Sequence, residues 1–254
     1  MHRTFRQLLL GAVLTSILVG ACSSTTPTAP PSSGSPSPSP TASAAPTASP
    51  ADPGVDGEAA LDAFFTEVAT TDDLSYHIHQ VADLENEGQP LLTAEYELDV
   101  VGNDVSGSLT AGGAGLDVSL DLVLLGDQGW ILVTGGDWTE VDPDDLDRDD
   151  IVDVWRYVAP RDDLTLDSVD STGALHFTST TPLPYETSSM RTSGLTGTIT
   201  ESELVLLPDG TPVELNLTIE AGGTVSGARV NLDGTTEVEF SNWGEDIVIE
   251  APPA

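Results

Sequence analysis

His77-Ile78-His79 places two imidazoles two positions apart, on the same face of any strand that contains them, and so offers half of a metal site. A third ligand has to come from elsewhere, and beyond the amino-terminal segment the only other histidine is His176. The plainer expectation is two half-exposed residues and no metal. Asp142, Asp144, Asp145, Asp147, Asp149 and Asp150 supply the hard oxygen donors that calcium prefers, but an EF-hand frame begun at Asp145 fails. Its sixth position is Asp150, where the turn needs glycine, and its twelfth is Arg156, where a glutamate should close the loop. An exposed acidic loop is expected there, its last carboxylates favouring the positive end of a following helix. No GxSxG element, HExxH pair or phosphate-cradling glycine loop occurs after Cys22, and Gly112-Gly113-Ala114-Gly115 lies between strand patterns as a hairpin loop. Carboxylate pairs are so numerous that a glycosidase-like pair can be picked by chance. Neither catalysis nor a cofactor is expected.

The remaining chemical group is the single cysteine, Cys22. Before it come Arg3 and Arg6, an apolar run from Leu8 to Val19, and the small residues Gly20 and Ala21. That is the layout of a secretory signal, residues 1–21, and the apolar run is shorter than the roughly 20 residues a membrane span needs. Val19-Gly20-Ala21-Cys22 resembles the bacterial lipobox, in which diacylglycerol is transferred to the cysteine sulfur and the cysteine becomes the first mature residue. One cysteine excludes an intrachain disulfide or a multi-cysteine metal site, and the lipobox resemblance implies lipidation at Cys22; the plainer alternative is an ordinary cysteine beside an ordinary signal-peptidase site. Two or more acyl chains make such an anchor stable. The protein is expected on the extracytoplasmic face of the cell membrane, as a lipoprotein.

The chain carries 42 Asp+Glu against 7 Lys+Arg, all of them Arg, for a formal charge of -35. Loss of the signal removes two arginines and no acid. So acidic a body repels phosphate backbones, which excludes nucleic-acid binding, and it repels anionic lipid headgroups as well. Residues 22–55 are almost wholly Ser, Thr, Pro, Ala and Gly, with nothing large and apolar to offset the entropy of ordering them. They read as a disordered tether; roughly 30 residues span on the order of 90 Å when fully extended. Nearly all the charge therefore belongs to residues 56–254, one domain.

That domain reads as mostly β. A helix is predicted from Gly57 to about Thr70, capped by Asp56, with Leu61, Phe64, Phe65 and Val68 on one face. Ala94, Tyr96, Leu98 and Val100 alternate with Glu95, Glu97 and Asp99. Leu116, Val118, Leu120 and Leu122 alternate with Asp117, Ser119 and Asp121, and Val213, Leu215, Leu217 and Ile219 alternate with polar residues in the same way. One buried face and one wet face belong to an antiparallel sheet. Hairpin corners are predicted at Asp127-Gln128-Gly129, Pro208-Asp209-Gly210 and Asp233-Gly234. A second helix, with Ile151, Val154, Trp155 and Val158 on its apolar face, is predicted to end at Pro160. About ten strands with two helices make an α+β domain.

The closing stretch Val238-Glu239-Phe240-Ser241-Asn242-Trp243-Gly244-Glu245-Asp246-Ile247-Val248-Ile249-Glu250-Ala251-Pro252 resembles the ending of the actinobacterial LprG/LppX lipoproteins: a sheet strand, an aromatic, a glycine, a short strand, then Ala-Pro. The lipobox, the tether and the opening helix are similar in layout. The resemblance implies a LolA-like fold, a strongly curved antiparallel sheet or half barrel with helices covering its concave apolar face. It also implies an acyl lipid or glycolipid ligand between sheet and helices, and transport across the envelope with an envelope transport protein as partner. The lining residues would be Phe64, Phe65, Tyr96, Leu98, Leu120, Leu122, Trp130, Leu132, Trp155, Leu215 and Leu217. Read from the residues alone, the same side chains serve equally as a solid core. In that case the chain is a lipid-anchored surface protein that binds another envelope protein through its wet face or acidic loop.

Overall fold

A computed structural model of the chain describes residues 56–70, 74–113, 116–146, 148, 151, 153–187, 190, 193–225 and 228–253. The signal, Cys22 and the tether lie outside the described residues.

Helix α1 spans Gly57–Val68, and the Asp56 carboxylate accepts a hydrogen bond from the Ala59 amide at 3.2 Å, as its capping role requires. Ala60, Leu61 and Phe64 are buried, so the face read from the spacing is the one that packs. Twelve strands follow: β1 Ser75–Asn86, β2 Gln89–Val101, β3 Asp104–Gly113, β4 Leu116–Leu125, β5 Gln128–Val133, β6 Thr139–Val141, β7 Thr165–Val169, β8 Leu175–Ser179, β9 Leu183–Tyr185, β10 Leu195–Leu206, β11 Pro212–Val225 and β12 Ala228–Ser241. They form one antiparallel sheet in the order β6-β5-β4-β3-β2-β1-β12-β11-β10-β8-β7, with β9 paired to β10. The first and last strands pair with each other, from His77 against Ser241 to Asn86 against Leu232, and this joins two meanders into a single sheet. Both edges are short strands, which limits the unpaired backbone they present.

The sheet wraps. Eleven strands side by side would be about 48 Å wide if flat, against a helix roughly 10 Å across. Yet inward residues from Ile131 on β5 to Leu166 on β7 belong to one apolar cluster that also contains Phe64 of α1. Only a curved sheet brings both flanks to one helix. Within β3, Gly107 allows close strand pairing: a side chain there would meet the Glu97 carbonyl of the neighbouring strand. Gly102, by contrast, sits in the turn between β2 and β3 with φ +57°.

Three expectations need correction. Asp233-Gly234 is not a corner but the middle of β12, opposite Leu84 and Ile219. A Cβ on Gly234 would lie 2.7 Å from Leu84 Cδ2, so the glycine makes room for a neighbouring leucine. The segment around Trp155 is not an α-helix running to Pro160. It contains the four-residue 3-10 turn Val154–Tyr157, with two others at Pro143–Leu146 and Arg161–Asp163. Val154, Trp155, Tyr157, Val158 and Ala159 are all buried, and no single face of a 3.6-residue helix presents so nearly continuous a run. Among the described residues, the α-helix with assigned bounds, Gly57–Val68, and these turns cover the inner face. The tail likewise lacks its short strand: residues 245–253 have no regular structure, and Val248 is exposed.

Candidate functional site

The register assigns each side chain a face. Leu98, Leu120, Leu122, Leu215 and Leu217 point inward and are buried, Tyr96 points inward and is half-buried, and α1 adds buried Phe64 and half-buried Phe65. Trp155 enters from its 3-10 turn. Trp130 and Leu132 do not join them: they pair with Val123 and Asp121 and project from the outer face, while Ile131 between them pairs with Leu122 and points in. Trp130-Ile131-Leu132-Val133 is apolar at every position, so alternation could not tell its faces apart.

Beneath the centre of the sheet the inner residues are aromatic. Trp155 stacks on Phe240 at 4.6 Å between centroids and meets Phe64, Tyr76 and Trp243 edge-on at 5.6 Å each. Tyr76 stacks on Trp243 at 5.5 Å. The tail holds Trp243 in place, since Gly244 donates its amide to the Ser75 carbonyl and the Ser75 hydroxyl donates to the Glu245 carbonyl, 2.8 and 2.7 Å. Burial pushes the Tyr76 phenol well above its ordinary range, a shift the neighbouring Trp155 indole partly offsets, so the group stays neutral. The Trp243 indole nitrogen is buried with no acceptor among the described residues. Tyr76 and Phe240 stand on the same inner face without having been singled out from the sequence. Tyr76 alternates with Ile78 against His77 and His79, a signal that was present but short.

The cover over these rings packs on the sheet through Trp155 and is also tied to itself at the surface. Arg161 donates from Nε to Asp62 and from Nη2 to Glu58, both 2.7 Å, and so clips the third 3-10 turn to α1. Among the described residues no backbone hydrogen bond joins α1 to the sheet. The β10–β11 turn abuts the helix closely enough that a Cβ on Gly210 would lie 2.7 Å from that of Ala63.

The outer face is acidic and holds all three described histidines. His77 contacts Asp99 through Nδ1 and Glu97 through Nε2, each at 2.9 Å. His79 Nε2 lies 3.1 Å from Glu95 and 3.8 Å from the other oxygen of Glu97, and its Nδ1 lies 3.6 Å from Glu239. The hydrogen bond to Glu95 raises the His79 pKa above its ordinary value. On the other flank His176 Nδ1 lies 2.8 Å from Glu203, which also accepts from Asn216 at 3.2 Å. Between the two groups runs an open groove of about 440 Å³ whose lining includes Asp83, Glu201, Glu203, Glu214 and Glu237 and no basic residue. Of the acidic loop, Asp142 is exposed; the side chains of Asp144, Asp145, Asp147, Asp149 and Asp150 lie outside the described residues.

No protein-family profile matches the chain, and no curated protein matches it either. Among solved structures, the crystal structure of a LolA superfamily protein from Nitrosomonas europaea is similar over 76% of this chain and 95% of its own, at 9% identity and a TM-score of 0.28, too distant a likeness to assign a family.

Proposed function

We propose that the chain is a lipoprotein of the cell envelope, anchored through Cys22 on the extracytoplasmic face of the membrane. Residues 22–55 are its tether, and residues 56–254 form the domain that takes up an acyl lipid or glycolipid between sheet and cover. The observation that carries this reading is the construction of the cover: among the described residues, a twelve-residue helix and short 3-10 turns lie over an apolar face that runs across the whole sheet. The cover is clipped to itself at the surface by Arg161, so lifting it breaks side-chain packing and no described backbone ladder. Displacement of Phe64 and Trp155 would open space beside Tyr76, and the buried Trp243 N–H is placed to donate to an ester or hydroxyl oxygen. Delivery of such a cargo calls for a partner that receives it, an envelope transport protein. Native mass spectrometry of the unlipidated chain, made in a bacterial envelope and kept free of detergent, tests the reading. A bound acyl lipid is the expected result. A chain that stays ligand-free, also after incubation with lipid vesicles, overturns it.

The acidic groove favours a second reading, in which the interior stays packed and the outer face docks a basic segment of another envelope protein. Pull-down that is lost in Glu203→Gln/Glu214→Gln, with no lipid adduct in the mass spectrum, would select it.

A further inference from the structure

The outer face carries carboxylates to which no described ion pair brings an arginine. In the pairing of β2, β1, β12 and β11, Glu97, His79, Glu239 and Glu214 stand in one cross-strand row, so Glu239 and Glu214 are directly opposed carboxylates. Like charges in that relation are destabilising. The chain has no lysine, and no described ion pair brings an arginine to Glu95, Glu97, Asp99 or Glu239. Four carboxylates are left around two imidazoles.

Their arrangement is that of ligands. One nitrogen of His79 and one carboxylate oxygen each of Glu95 and Glu97 lie within 4.8 Å of one another. Four donors held tetrahedrally at zinc bond lengths are about 3.3 Å apart, and the His79 separations of 3.1 and 3.8 Å bracket that value. The strands supply the positions: Glu95 and Glu97 alternate onto the wet face of β2, and His79 is the register partner of Glu97. The outer groups orient the inner ones. His77 takes the far oxygen of Glu97 at 2.9 Å and is itself held by Asp99, while Glu239 faces the second nitrogen of His79. Carboxylates behind a ligating imidazole in this way fix its tautomer and strengthen it as a donor.

We propose that His79, Glu95 and Glu97 form a binding site for a divalent transition-metal ion of the zinc class, with a fourth position open to water or to a donor from another molecule. The imidazole sets the class. Calcium and magnesium take six or more oxygen donors, whereas nitrogen with two carboxylates suits zinc and its neighbours. The site is independent of any lipid beneath the sheet, because it lies on the opposite face.

The test is a calorimetric titration of the full chain with zinc in excess calcium, in a Cys22→Ser background that removes the competing thiol. The expected result is one equivalent of zinc bound and not displaced by calcium. His79→Asn and Glu97→Gln should each weaken binding by roughly tenfold or more, while His176→Asn on the other flank leaves it unchanged. All three positions are solvent-facing, and circular dichroism confirms that each variant folds. The proposal is overturned by absence of stoichiometric binding, by displacement with calcium, or by equal losses in the His79 and His176 variants, which would mark a diffuse response of the acidic face.

Discussion

The indole of Trp155 lies flat against the ring of Phe240, 4.6 Å between centroids and 23° between planes. One residue comes from a turn inserted between β6 and β7 and the other from near the end of the chain, so this contact fastens the cover to the centre of the sheet. Trp155 also meets Phe64 on α1, which makes it the link between the cover's two parts. Trp155→Ala should cost about 3–5 kcal/mol, the usual price of deleting a large buried aromatic. Urea unfolding with matched m-values would measure it. A loss below 1 kcal/mol would mean that the cover contributes little to the stability of the fold.

Gly107 should not tolerate alanine. Its φ of +155° turns a Cβ toward β2 and into the Glu97 carbonyl oxygen. Backbone strain of this kind costs on the order of 1–3 kcal/mol, and each kcal/mol lowers the melting midpoint of a domain this size by roughly 2–4 °C. Gly112 lies in the same strand with open space where its side chain would be. Gly112→Ala is therefore the control, and thermal melts should separate the two variants clearly. Equal melting points would show that β3 relaxes at Gly107 without loss.

How much of this was legible in the sequence follows from which positions alternate. β2, β4 and β11 place a charged or polar residue at nearly every second position, so their faces were readable, and the capped opening helix was readable for the same reason. β5 offers no polar residue between Trp130 and Val133, and its inward residue, Ile131, is set only by pairing with Leu122. The segment around Trp155 has a spacing compatible with a helix, but it buries nearly every side chain, a demand that comes from the sheet's curvature and has no local signature. The His79 cluster failed to appear for a different reason. Its carboxylates come from a neighbouring strand, and a cross-strand register is not written in a two-residue spacing.

Asp170 makes stability depend on pH at the acid end. Its Oδ1 accepts from the Thr172 hydroxyl at 2.7 Å, the Thr172 amide at 2.8 Å and the Ala174 amide at 2.9 Å, and these bonds, the hydroxyl foremost, lower its pKa below the ordinary carboxylate value. A group whose pKa is depressed by folding contributes stability above its unfolded pKa and loses it as pH falls through the folded value. The stability difference between the wild type and Asp170→Asn should therefore be constant near neutral pH and shrink as pH drops below about 4. Denaturant midpoints across that range would show it. A difference that does not change with pH would assign the effect to turn geometry rather than to charge.

Arg161 should govern how readily the cover lifts, with little effect on how stable the domain is. Glu58 and Asp62 are largely exposed, and solvent screens such ion pairs, so Arg161→Ala should leave the unfolding midpoint nearly unchanged. The pair joins α1 to the turn at Arg161–Asp163 and touches no strand, so its loss removes the polar tie between the two parts of the cover and leaves the Trp155–Phe64 contact. Local openings cost less than global unfolding and are read by amide hydrogen exchange. Amides of Gly57–Val68 should exchange faster, while those of β11 and β12 keep their protection. If cargo enters beneath the cover, uptake of an acyl lipid from vesicles should accelerate in the same variant. Acceleration spread evenly over helix and strands would instead mean that cover and sheet open as one unit, and a carrier that admits its ligand by lifting the helix would then have no mechanical basis.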